Sequence, residues 1–231
     1  MSKLKIQFHL HTRKDPADSI LHTETELIDE AARLGYDAIS ITCHNVLIFD
    51  EDLRKYAEKK RILLIPGIEK SIQKKHVLLI NADVHAQRIQ TFEDLKKYRE
   101  KKPDCLVIAA HPFYPGSICL GPKLMEHIDL FDAIEYSWYH SKKLNSYNKK
   151  AIKVAEKYKK PLLGTADNHI LKYLNGTYSL IDSEKNIPAI FDAIKKNKIK
   201  IVSHDLPWWK LCTIISGMEI RNFWKRFRLK T

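Results

Sequence analysis

The chain has 231 residues, 44% of them hydrophobic and 29% charged, which is enough apolar material for one full-sized globular domain and excludes a disordered or low-complexity chain. Lys and Arg total 40 against 28 Asp and Glu, a net charge of +12 with histidines neutral, which suits anionic partners such as phosphate esters, nucleic acid or a lipid surface and equally a solvated lysine-rich exterior. Cys43, Cys105, Cys119 and Cys212 show no CxxC spacing, Met1-Ser2-Lys3-Leu4 leads into a strand-like run rather than a signal peptide, and no apolar stretch approaches the roughly 20 residues of a membrane span; the expected setting is a reducing cytoplasm.

Leu4 to His9 reads as a strand, and Thr23-Glu24-Thr25-Glu26 as a capping box opening a helix through Leu34, closed by Gly35. Asp37 to Thr42 is a short apolar strand, Glu51 to Lys60 a helix, Ile62 to Ile68 a strand rich in branched residues, and His76 to Asn81 another strand. Thr91 to Lys102 is helical with Pro103 as its stop, followed by a buried strand from Cys105 to Ala110, a Gly/Pro loop, and a short helix near Pro122 to His127. Phe131 to Tyr136, Pro161 to Thr165, Tyr178 to Ile181 and Ile199 to Val202 read as strands, with helices over Leu144 to Lys159 and Pro188 to Asn197. From about Leu206, Trp208, Trp209, Phe223, Trp224 and Phe227 interleave with Lys and Arg. This tail, 206–231, is expected to pack on or extend the main domain, 1–205, with binding of nucleic acid or lipid as the alternative.

Alternation of strands and helices with short connections implies an α/β fold with helices covering a parallel sheet. His9, His11, His44, Glu69, His111, Glu135 and Asp167 fall at or just past strand ends. A barrel brings every strand end to one rim, so a distorted (β/α)7-type barrel with its site at the C-terminal ends of the strands is expected over an open sheet.

His9-Leu10-His11 is the sharpest local signal, because alternate residues of a strand face the same way and two imidazoles can then bind one metal ion. Alone, an HxH is weak. It is reinforced by Thr42-Cys43-His44, Pro66-Gly67-Ile68-Glu69, Ala110-His111-Pro112 and Gly164-Thr165-Ala166-Asp167-Asn168-His169, each ending or following a strand. Clustered divalent ions lower the pKa of water and neutralise charge on phosphoryl oxygens, so metal-activated water is the expected nucleophile. No GxSxG elbow, Walker loop or GxGxxG after a strand offers another agent. Mixed imidazole and carboxylate donors suit Zn, Mn or Fe alike.

In these fragments the chain resembles the polymerase and histidinol phosphatase (PHP) domain family, whose members show HxH, TDH, GxE, HP and SDxH motifs in this order. The match covers roughly residues 4–205. The resemblance implies that His9, His11, Glu69 and Asp167 bind one metal, that Glu69 bridges to a second also held by His111, and that His44 and His169 take a third. Asp18 fits the family's further ligand in the loop after HxH better than Asp15, and His76 resembles its histidine after GxE. Two to three ions are implied. Gln7 stands where an aspartate usually precedes HxH, Cys43 replaces the aspartate of TDH, and Asn168 falls within a variant SDxH. Cys43 either leaves a neighbouring ligand less well oriented or is itself a soft ligand.

His22, His85, His127, His140 and His204 match no motif and read as surface or capping residues. Glu135 reads as a strand-end polar group. Arg13, Lys14 and Lys70 flank the motifs and are candidates to hold a substrate phosphate. The resemblance implies hydrolysis of a phosphomonoester of a small metabolite or nucleotide. The alternatives are a phosphodiesterase or exonuclease on nucleic acid, and a non-catalytic module that binds nucleic acid or membrane. Oligomeric state is not legible.

Overall fold

The computed structural model describes residues 3–228. Readings that concern Met1 and Ser2, or the tail's last residues Leu229, Lys230 and Thr231, lie outside the described residues.

The strands form two five-stranded sheets rather than one continuous ring. The first has the order β10 (Ile199–Ser203), β9 (Thr177–Asp182), β1 (Lys3–Gln7), β2 (Ala38–Ile39), β3 (Leu63–Leu64). The second runs β4 (Gly67–Ile72), β5 (Lys75–Ile80), β6 (Leu106–Ala109), β7 (Ala133–Ser137), β8 (Leu162–Thr165). Both are mixed: β9 is antiparallel to β1 and β10, and β5 is antiparallel to β4 and β6. The α/β class holds, with two mixed sheets; no continuous closed ring of strands is paired among the described residues.

The cause is local. The run Ile62 to Ile68 is interrupted at Ile65-Pro66, and Gln73 and Lys74 both take positive φ, 48° and 65°, the geometry of a tight hairpin turn. The chain therefore folds back from β4 into β5 where a crossover helix would have kept the strands parallel. At one end the sheets meet through isolated parallel bridges, Leu10 with Asn168 and His44 with Glu69.

Helices cover the outer faces. α1 (Glu24–Arg33) begins with the expected capping box, in which Thr23 and Glu26 satisfy each other's backbone N–H, and Gly35 follows its end at φ 73°. With α2 (Glu51–Lys59), capped by Asp50, it buries Leu27, Ile28, Leu53 and Ala57 against Ile39, Ile41 and Leu64. α3 (Phe92–Lys101) and α5 (Ser146–Tyr158) cover the second sheet, and the short α4 (Lys123–Glu126) lies between them in sequence. Residues of both sheets, Ile6 and Phe8 with Leu78, Ile108 and Leu163, pack in one cluster with Ile190, Phe191 and Ile194 of α6 (Ile187–Lys195). The tail forms one helix, α7 (Trp208–Arg228), which docks Leu211 and Ile214 on Trp138 and Tyr139. Its outward positions leave Trp208, Trp209, Ile220, Phe223, Trp224 and Phe227 exposed. Among the described residues no helix is long and apolar enough to cross a membrane.

Candidate metal centre

Each sequence-predicted group arrives at one end of the two sheets for a local reason. His9 and His11 follow β1 in extended chain, so both rings turn to one side while Leu10 is buried on the other. Glu69 lies inside β4, not at its end. The register sets Glu69 against Leu78 and Ser71 against His76, so Glu69 and His76 are diagonal neighbours on one face of the hairpin. His111 and Asp167 follow β6 and β8 with positive φ, 25° and 44°. Non-glycine residues avoid that region, and surrounding contacts must hold them there.

The nine groups, His9, His11, Asp18, His44, Glu69, His76, His111, Asp167 and His169, form one linked cluster. His9 Nε2 stands 3.3 Å from Glu69 Oε2 and 3.2 Å from Asp167 Oδ1, and His11 Nε2 stands 3.4 and 3.3 Å from the same oxygens. On the other carboxylate oxygen, Glu69 Oε1 lies 2.8 Å from His76 Nδ1 and 3.1 Å from His111 Nε2. His44 Nε2 is 3.0 Å from Glu69 Oε2, and His169 Nε2 is 2.8 Å from Asp18 Oδ2. Of the other eight groups His44 thus contacts Glu69 through Nε2, whereas its Nδ1 is 3.8 Å from Asp18.

These contacts fit cations better than hydrogen bonds. His9 Nε2, His11 Nε2 and His76 Nδ1 are buried and have no hydrogen-bond partner despite lying near carboxylates. Neighbouring donors on a cation with bonds near 2.1 Å are about 3.0–3.4 Å apart, in octahedral or tetrahedral geometry, which is the spacing found around His9 and His11. Donor atoms of His9, His11 and Glu69, of His9, His111 and Asp167, of His11, Asp167 and His169, and of His44, Glu69 and His76 each lie within 4.8 Å of one another.

Residues behind the cluster orient the rings. Glu135 is fully buried and accepts from His9 Nδ1 at 2.7 Å, from the His111 backbone N–H and from Thr165 Oγ1. It is not a solubilising strand end, contrary to the sequence reading. Asp15 Oδ2 accepts from His11 Nδ1 at 2.8 Å and from His44 Nδ1 and backbone N–H at 2.9 Å each. Its Oδ1 accepts from the Ala17 and Asp18 backbone at 2.8 and 3.0 Å. His169 Nδ1 donates to the Asp167 carbonyl at 2.9 Å. In His9, His11, His44 and His169 the Nδ1 proton is therefore occupied and Nε2 is the atom turned toward the carboxylates of the cluster.

The departures from the family motifs have structural answers. Cys43 is buried in the apolar cluster of α1 and α2, 3.5 Å from Thr12 Oγ1, and burial pushes its thiol up to about 12, so it is a neutral thiol at ordinary pH. Asp15 supplies the carboxylate near His11 that position 43 lacks. Gln7 donates to the Thr177 carbonyl at 2.8 Å and accepts from Ala166 N–H at 3.0 Å, tying β1 to the segment that carries Asp167.

Electrostatics bind the cluster together. Burial lowers the His9 pKa, but Asp167, Glu135 and Glu69 outweigh it and hold the ring well above 6.5. His11, His44 and His169 are raised in the same way, against burial, by the surrounding carboxylates, and His111 by the Cys119 thiol together with Glu69 and Asp167. Burial alone would raise Glu69 and Asp167; the neighbouring imidazoles hold both far below the usual carboxylate range. Asp15 and Asp18 are lowered likewise.

Sequence reading missed the contribution of the tail. α7 is part of the centre: Asn222 Nδ2 donates to Asp18 Oδ1 at 2.6 Å and its Oδ1 accepts from Ser19 N–H at 2.7 Å. Lys225 Nζ donates to the Asp15 and Asp18 carbonyls at 2.6 Å each. His22 and His140 are buried instead of lying at the surface: His22 Nε2 bonds the His11 carbonyl at 2.8 Å, and His140 Nε2 lies 3.1 Å from Tyr136 Oη. His85 and His204 are exposed, and His127 stacks on Phe92. Lys70 is buried with Nζ on Asn45 Oδ1 at 3.1 Å, while Arg13 and Lys14 are exposed. No local pattern marks Asn222 or Lys225; the alternation of Glu135 with Tyr136 along a strand was the one available signal for Glu135.

No protein-family model matches the chain. DNA polymerase III PolC-type from Staphylococcus saprophyticus is 38% identical over 65 residues, 28% of this chain and 4% of that protein. A solved two-domain protein from Bacteroides vulgatus, described as containing a PHP-like metal-dependent phosphoesterase, superposes with a TM-score of 0.68 at 23% identity, covering 88% of this chain and 65% of that one. The lesion-specific endonuclease PfuEndoQ from Pyrococcus furiosus superposes with a TM-score of 0.61 at 17% identity, over 86% of this chain and 57% of that one. The chain thus spans only a small part of the polymerase and about two thirds or less of these two structures. It has the PHP-like fold, as its motifs imply.

Proposed function

We propose that the protein is a metal-dependent phosphoesterase that hydrolyses a phosphomonoester of a small metabolite or nucleotide. The carrying observation is the pair of buried, unpartnered Nε2 atoms of His9 and His11 facing Glu69 and Asp167 at 3.2–3.4 Å. One ion would be held by His9, His11, Glu69 and Asp167, a second by Glu69, His76 and His111, and a third, where present, by Asp18 and His169 with His44 between the last two sites. When bound, divalent Zn, Mn or Fe supplies Lewis acidity that activates water toward phosphorus and neutralises charge growing on the phosphoryl oxygens. The chain's own residues do the rest. Glu135 and Asp15 fix the tautomers and orientations of His9, His11 and His44, and the positive-φ turns at His111 and Asp167 aim those groups inward. The catalytic unit would be residues 1–205, with 206–231 acting through α7.

A second reading, phosphodiester or nucleic-acid cleavage, is favoured by the net charge of +12 and by the exposed aromatic side chains of α7. Elemental analysis of the purified protein, followed by hydrolysis of nitrophenyl phosphate, a bis(nitrophenyl) diester and an oligonucleotide with Mn, Zn or Fe added, tests both. Two to three metal equivalents and faster monoester turnover are expected. Activity in a metal-free, chelator-resistant protein would overturn the proposal, and turnover confined to the diesters would establish the second reading in its place.

A further inference from the structure

Beside the centre, a cavity of about 720 Å³ lies between the loop that follows His11 and the C-terminal half of α7. That is the size of a small-molecule site. Arg13, Ile20 and Leu21 form one wall, Arg221, Trp224 and Lys225 the other, and Asp18 belongs to both the cavity and the cluster.

The three cations differ in what they already hold. Lys225 Nζ is spent on two loop carbonyls, and Arg13 donates to the Leu21 carbonyl. Arg221 is otherwise: its Nε is buried without a hydrogen-bond partner, and no carboxylate lies within ion-pair distance of its guanidinium among the described residues. The negative charge of Asp18 does not serve it, since Asp18 is engaged by His169 and Asn222. A guanidinium has a planar fork of donors matched to a phosphate or carboxylate, and leaving such a donor buried and unpaired is unfavourable. Trp224 is half exposed at the same cavity, next to the apolar side chains of Ile20 and Leu21.

We propose that Arg221 is a specificity-determining residue: it takes a second phosphate carried on the leaving-group side of the substrate, while Trp224 covers a flat ring attached to it. The scissile phosphate would lie over the cluster and the remainder of the ester would extend past Asp18 into the cavity. This rests on the phosphoesterase reading, and it assigns to α7 the choice among phosphate esters. It also explains why α7 is tied to the loop by Asn222 and Lys225, since those bonds hold the two walls at a fixed separation.

The test compares a thymidine dinucleotide bearing a 5′-phosphate with nitrophenyl phosphate, using the full chain loaded with Mn. Wild type should prefer the dinucleotide, and Arg221→Ala should reduce that preference, as the ratio of kcat/KM values, by about tenfold or more, through KM. Arg221→Lys, which keeps the charge and loses the fork, should recover part of it. Dinucleotide binding is also measured by calorimetry on wild type and Arg221→Ala, with and without Mn, and needs no turnover. Weakening of about tenfold in Arg221→Ala supports the assignment even where no hydrolysis occurs, which would sink only the enzymatic reading. Equal dinucleotide binding by both proteins, or an unchanged substrate ratio, overturns it.

Discussion

Asp15 offers the sharpest test of how the centre is built. Asp15→Asn keeps the side chain's shape but replaces one accepting oxygen by an NH2 donor. Both oxygens are in use, Oδ2 by His11 and His44 at 2.8–2.9 Å and Oδ1 by the Ala17 and Asp18 backbone at 2.8 and 3.0 Å. Whichever way the amide turns, donors face donors. Losing the partner behind one metal-binding imidazole costs about 10- to 100-fold in affinity or activity. Asp15 stands behind two imidazoles, so the variant should bind Mn or Zn roughly 100-fold more weakly or worse. Equilibrium titration against a competing chelator measures this, with phosphate release followed in parallel and circular dichroism confirming the fold. A folded Asp15→Asn protein whose metal affinity and rate stay within about threefold of wild type would refute the claim that this carboxylate orients His11 and His44.

Further outcomes follow from the same geometry. His9→Ala or Asp167→Ala should abolish phosphate release while the protein stays folded, and should lower the metal content found by elemental analysis. Glu135→Gln should reduce activity about 10- to 100-fold by releasing His9 Nδ1; full activity would show that the Glu135 bond is dispensable. Asn222→Ala should cost about 1–3 kcal/mol in denaturant unfolding, because the Ser19 N–H and Asp18 lose a buried partner. In the metal-free protein, Asp15, Asp18, Glu69 and Asp167 have lowered pKa values. The stability they contribute is complete above their usual values near 4 and is lost as pH falls through the lowered ones. The raised imidazoles act oppositely: their contribution is complete below about 6.5 and is lost as pH rises through the raised values. Metal must displace those protons, so calorimetry at pH 7 in buffers of different ionisation enthalpy should register net proton release on binding. Proton-neutral binding would contradict the raised imidazole values.

Much of the centre was legible because its signals are short-range. The HxH spacing follows from strand alternation, and the caps at Thr23, Asp50 and Thr91 occur at the helix starts the sequence marks. The strand breaks were harder. Ile62 to Ile68 was read as one strand through Pro66-Gly67, the breaker that divides it, and no local pattern told that Glu69 would lie within a hairpin. Asp15 and Asp18 both lie in the loop after HxH, and only the folded loop separates a carboxylate behind the rings from one that faces His169.

Sequence by itself determined the α/β class, the existence of the helices before residue 206 and which residue types are available to bind cations, because those depend on periodicity and chemistry within a few positions. Tertiary structure alone decided that the strands pair in two mixed sheets, that Glu135 supports His9, and that α7 walls the cavity beside Asp18. The Glu135–His9 and Asn222–Asp18 contacts join residues 126 and 204 positions apart. Pairings at such separation are set by how strands and helices pack, and they leave no local pattern in the chain.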